Sequence, residues 1–144
     1  MAIYSLTQFV TAPIWGRYSD RYGRRPILSL SLTGTVAAYF WLAYAEDLQM
    51  LYWARGLAGI MAGSISAAFA YMADITTKKD RSKGMGLLGA AFGLGFIAGP
   101  AIGGLLAGGD PATTNYQLPS FVAAGFSGTA LLVALFILKE SLSN

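Results

Sequence analysis

Gly16-Arg17-Tyr18-Ser19-Asp20-Arg21-Tyr22-Gly23-Arg24-Arg25-Pro26 is the stretch on which the reading of this chain turns. It follows an uncharged apolar run over residues 1–15 and leads directly into a second apolar run that opens at Pro26. Gly16 allows close helix approach, Gly23 permits a sharp turn, and Pro26 suits the first turn of a helix, where its missing N–H is not needed. Asp20 lies four residues before Arg24, so the two side chains meet if the stretch coils. A loop that only sets membrane topology would account for the basic residues, but it gives no reason for Gly16, Asp20 and Gly23 at these spacings.

Outward from this segment the chain is a series of long apolar runs. A hydrocarbon core about 30 Å thick needs roughly 20 helical residues to cross it, and residues 26–45, 48–73, 84–107 and 118–138 meet that length. The opening run, ending near residue 17, is shorter and reads as a membrane helix whose beginning is missing. The composition agrees, with 55% hydrophobic residues, 12% charged residues and a mean hydropathy of +0.52, where a soluble domain carries about 25% charged side chains. The expected fold is an all-α membrane protein of five transmembrane helices.

The connectors alternate in charge. The first holds Arg17, Arg21, Arg24 and Arg25 and the third Lys78, Lys79, Arg81 and Lys83, whereas the second holds Glu46 and Asp47 and the fourth Asp110. Lys and Arg beside membrane helices stay on the cytoplasmic side, so the first and third connectors are expected inside and the other two outside. Lys139 then falls inside too. Met1 would start outside with nothing to carry it there, and the chain stops just past a helix at Lys139-Glu140-Ser141-Leu142-Ser143-Asn144, so both ends read as cuts.

Cys and His are both absent. Disulfides, thiolate nucleophiles, most zinc sites and imidazole acid–base chemistry go with them, and neither an enzyme nor a metal or cofactor site is expected. The net charge of +3 comes from the two basic connectors and reads as topology, not as a nucleic-acid surface. Gly93-Leu94-Gly95-Phe96-Ile97-Ala98 fits a dinucleotide fingerprint, but it lies inside an apolar run without the strand that the fingerprint requires.

The opening stretch resembles the signature loop between the second and third helices of the major facilitator superfamily, matched at Gly16, Asp20, Arg21, Gly23, Arg24 and Arg25. The resemblance implies two bundles of six helices with a substrate site between them and alternating access by rocking. It also implies that Asp20 and its basic neighbours form a cytoplasmic gating latch. Arg55 and Gly59 resemble the fourth-helix motif, with Ala58 where a Gln is common. Arg55 stands about 10 Å into its span, as a buried coupling residue or as one snorkelling outward. All seven acids lie in connectors or at helix ends, and the resemblance puts Arg55's acid partner on a missing first helix.

Gly95, Gly99, Pro100, Gly103 and Gly104 resemble the fifth-helix motif of the antiporters, where Pro100 removes a helix hydrogen bond and the glycines thin the helix. Gly59, Gly63, Gly89 and Gly93 recur at the spacing of close helix packing. Asp74 with Arg81 resembles the cytoplasmic loop after the fourth helix, and Lys139-Glu140-Ser141 the end of the sixth. Tyr44, Tyr52 and Trp53 read as an aromatic belt or as substrate contacts.

The whole string is similar to the drug:proton antiporter group, most of all its tetracycline-efflux members. Residues 1–144 then represent helices two to six of an amino-terminal bundle, lacking the first helix and the carboxy-terminal half. The implied function is proton-coupled efflux of a small amphipathic compound such as tetracycline across a bacterial inner membrane, with lipid, protons and that solute as partners. An importer of a sugar or other solute, and a non-transporting membrane protein that keeps the fold, are the rivals.

Overall fold

The computed structural model describes residues 2–110 and 113–142; Met1, Pro111, Ala112, Ser143 and Asn144, which belong to the opening run, the fourth connector and the terminal stretch read above, lie outside it. Six helices follow in order: α1 (Ala2–Tyr22), α2 (Arg24–Ala43), α3 (Leu48–Ala62), α4 (Ile65–Ile75), α5 (Arg81–Ala107) and α6 (Gln117–Phe136). α3 and α4 run as one span, so Arg24–Ala43, Leu48–Ile75, Arg81–Ala107 and Gln117–Phe136 are long and apolar enough to cross a membrane. α1 has the length, but Arg17, Asp20 and Arg21 at its end make it more polar.

Most ends shift from the sequence reading by three residues or fewer, and two differences are larger. α1 does not stop near residue 17 but continues through the signature segment to Tyr22, leaving Gly23 alone outside the helices. Gly23 makes that possible at φ +105°, a conformation that a side chain disfavours, and Pro26 then sits in the first turn of α2. The run over 48–73 is interrupted at Gly63-Ser64. There the Ser64 N–H bonds the Met61 carbonyl at 3.1 Å and the Gly63 N–H is shared between Gly59 and Ile60 at 3.3 Å each, a local tightening of the helix.

α2 packs against α1, α3, α4 and α6, α1 also against α3 and α4, and α5 chiefly against α4 and α6. The interior is made of small side chains: Ala38, Ala43, Ala54, Ala58, Ala67, Ala124 and Ala134 are buried together with Ile27, while Ser19 and Ser31 are the largest fully buried side chains. Large apolar residues point outward instead, with Phe9 79%, Leu105 84% and Phe136 81% exposed. Helices in lipid gain nothing from hiding Leu and Phe, and they associate through close backbone approach; the inside-out distribution is that of a membrane bundle. Gly59 and Gly63 show the approach directly. A Cβ on Gly59 would lie 2.5 Å from the Tyr4 carbonyl oxygen, and one on Gly63 would lie 3.0 Å from the Ala12 nitrogen.

α5 behaves otherwise. None of its residues is buried, and a Cβ on Gly89, Gly93, Gly95, Gly99, Gly103 or Gly104 would meet nothing within 4 Å. The close packing expected of these glycines is therefore not made among the described residues. Gly16 departs too, since a Cβ there would meet only Ser66 Oγ, at an ordinary 3.7 Å.

Candidate gating cluster and coupling residue

The turn at Gly23 delivers Arg24 to the end of the bundle where α1, α4 and the segment after α6 converge. The Arg24 side chain is buried, 8% exposed overall, and two of its three nitrogens are engaged. Nε donates to Asp74 Oδ2 at 2.9 Å, Nη1 donates to Ser19 Oγ at 2.7 Å, and Nη1 also pairs with Asp20. The helical spacing of Asp20 and Arg24 thus brings them together as the sequence suggested. Asp74, from the end of α4, also accepts the Ser141 hydroxyl at 3.3 Å. A buried guanidinium needs such partners, because a charge out of water is costly unless it is paired and hydrogen-bonded.

Glu140, which the sequence reading placed only at the end of the sixth helix, is the further member. Its Oε1 accepts the N–H groups of Arg24 at 2.8 Å, Ser141 at 3.0 Å and Leu142 at 3.1 Å, and its Oε2 accepts that of Arg25 at 3.2 Å. The carboxylate therefore seats on the open N–H groups at the start of α2, where the helix dipole favours negative charge. Burial opposes its ionisation, but the four backbone donors prevail and hold it below the usual glutamate range. Gly23 also leaves room for this carboxylate, since a Cβ on it would lie 2.5 Å from Glu140 Oε2 and would push it aside. Arg25 reaches the Leu135 carbonyl at the end of α6, and Arg81 at the start of α5 reaches the Ala73 carbonyl at 3.2 Å. Arg21 lies over the Tyr22 ring, 5.7 Å from its centroid.

Of the candidate residues, Asp20, Gly23, Arg24, Arg25 and Asp74 meet in this cluster, with Arg81 alongside. Arg55 does not. It is half-buried on α3 and lines a cavity of about 670 Å³ with Tyr4, Tyr52 and Tyr116. Among the described residues no ion pair or hydrogen bond to Arg55 is formed. Gly95, Gly99, Pro100, Gly103 and Gly104 stand apart on the open face of α5.

Comparison with known proteins places the chain as a whole. The Major Facilitator Superfamily profile matches residues 1–143. The class C tetracycline resistance protein of Escherichia coli is 42% identical over 141 residues, covering 98% of this chain and 34% of the relative. Multidrug resistance protein 2 of Bacillus subtilis (strain 168) is 38% identical, with 99% of this chain and 35% of the relative covered. Among solved structures, the human organic anion transporter MFSD10 (TETRAN) superimposes with a TM-score of 0.84 at 33% identity, over 97% of this chain and 31% of the transporter. The chain spans about a third of the length of the curated relatives it matches. It is a multi-pass protein of the bacterial cell membrane and belongs to the major facilitator superfamily of transporters.

Proposed function

We propose that the chain forms part of the amino-terminal bundle of a proton-coupled exporter of small amphipathic drugs, tetracyclines among them. The observation that carries this reading is the cluster around Arg24. It ties the α1–α2 turn to the ends of α4 and α6 through Asp20, Asp74 and Glu140, and it belongs to a chain whose similar proteins are named for tetracycline and multidrug resistance. In this reading the cluster sits on the cytoplasmic side of an inner membrane, because the basic connectors meet there, and it serves as the gate. Arg55, without an acid of its own, is the coupling residue and takes its carboxylate from a preceding helix. The exposed glycines of α5 let another bundle approach closely. Solute and protons move and no covalent bond is made.

The test is drug accumulation in cells producing the transporter that contains this chain. Expected are reduced tetracycline levels relative to cells without it, restored by a protonophore. Increased uptake of a sugar or other solute, with no effect on tetracycline, would replace export by import.

A further inference from the structure

We infer that Trp15 is a positioning residue, whose indole N–H on the Ile60 carbonyl holds the interruption of the third span and so sets where Arg55 stands relative to Asp74. In an unbroken helix the Ile60 carbonyl would accept the N–H of Ser64. Here that N–H turns to Met61 at 3.1 Å, and Ile60 keeps only a shared 3.3 Å bond from Gly63 within its own span. In a membrane such a carbonyl needs another partner. α1 supplies two. Trp15 Nε1 donates to it at 2.6 Å, and Thr11 Oγ1, already on the Thr7 carbonyl at 2.7 Å, lies 3.2 Å away.

The contact is built from both sides. Gly63 leaves room for it, since a Cβ there would lie 2.8 Å from Trp15 Cδ1 and 2.6 Å from Thr11 Oγ1. One turn further, Ser66 Oγ on α4 donates back to the Ala12 carbonyl of α1 at 3.0 Å. Donors from α1 and α4 thus cross at the interruption and fix both halves of the span to one helix. α3 carries Arg55 above it and α4 carries Asp74 below it, while α1 itself ends in Asp20. A change in the Trp15 bond therefore alters the angle between the coupling residue and the gating cluster without touching either. Phe in place of Trp15 keeps a ring but loses the donor, whereas Gln loses the ring and keeps a donor.

The consequence for transport rests on the efflux reading; the geometry of the span does not, and the two are measured separately. With no native cysteine in the chain, Leu48→Cys and Ile75→Cys place spin labels at the two ends of the span, both at exposed positions, in lipid nanodiscs. The protein with Trp15 is expected to give one narrow distance distribution, Trp15→Phe one at least about twice as wide or shifted, and Trp15→Gln a return toward the narrow one. Thr11→Val, which leaves the Trp15 bond and removes the longer contact with Ile60 together with the hydroxyl's own bond to Thr7, is expected to broaden it less and keeps the test open if Trp15→Phe does not insert. A Trp15→Phe distribution that matches the parent's in both width and position, or an equal change in Phe and Gln, overturns the proposal. In the transporter containing the chain, Trp15→Phe is expected to lower kcat for proton-driven efflux about threefold or more at unchanged drug KM, with Gln recovering part of it. Absence of efflux from the parent would refute the exporter reading, and the distances would still decide this one.

Discussion

Replacing Glu140 separates a carboxylate that caps a helix from one that merely faces water. In Glu140→Gln the amide oxygen can keep the three contacts of Oε1, but the amide nitrogen replaces Oε2 and meets the Arg25 N–H donor to donor. One bond and the negative charge at the start of α2 are lost. A charge-assisted bond contributes about 1.5–3 kcal/mol and a charge at a helix N-terminus about 0.3–1 kcal/mol. Because the Glu140 side chain is exposed, solvent screening brings the expected loss to about 1 kcal/mol. Glu140→Ala, which also abandons the Arg24 N–H, should cost about twice that.

The assay is the thermal midpoint of the detergent-solubilised chain. About 1 kcal/mol corresponds to a drop of about 2–4 °C in a chain of this size. The pH dependence follows from the depressed ionisation of Glu140. Its contribution is fully present above the usual glutamate range, near pH 4.3, and disappears as pH falls through its lower native value. The gap between parent and Glu140→Gln should therefore be constant through neutral pH and close in acid. A gap no larger than that of Lys139→Gln, or one that persists in strong acid, would refute the capping argument.

Two further outcomes are expected. Gly63→Ala should destabilise the chain by about 1–3 kcal/mol, because its new methyl meets Thr11, Trp15 and the Ala12 backbone, whereas Gly99→Ala should stay within about 0.5 kcal/mol; thermal midpoints in detergent compare them. Thr113→Cys should react with a membrane-impermeant thiol reagent on intact cells while Lys79→Cys reacts only after lysis, and the reverse pattern would invert the topology drawn from the basic connectors.

Much of this was legible in the sequence because it depends on local spacing. Asp20 and Arg24 meet because they are four apart on a helix, Gly23 turns because little else adopts its φ, and apolar length alone outlines the spans. What escaped depends on which distant segments share an end. Asp74 lies fifty residues from Arg24, and Glu140 follows the last helix at an unremarkable place, so nothing local marks either as a partner of the signature segment. The interruption after Ala62 was hidden inside one apolar run, although an adjacent Gly63-Ser64 is the kind of pair at which helices bend. The glycine repeats of α3 and α5 look alike in sequence. Only the packing distinguishes Gly59 and Gly63, pressed against α1, from Gly95, Gly99 and Gly103 in open space.

The most direct test of the account asks whether the cluster gates proton-driven efflux. Everted membrane vesicles bearing the transporter that contains this chain should accumulate tetracycline when a proton gradient is imposed. Asp20→Asn, which strips a charge from the Arg24 cluster, should lose most of that accumulation, whereas Asp80→Asn, whose carboxylate accepts the Thr77 hydroxyl just before α5, should keep it at equal membrane abundance. Accumulation without a gradient, none with it, or equal activity of the two variants would contradict the account.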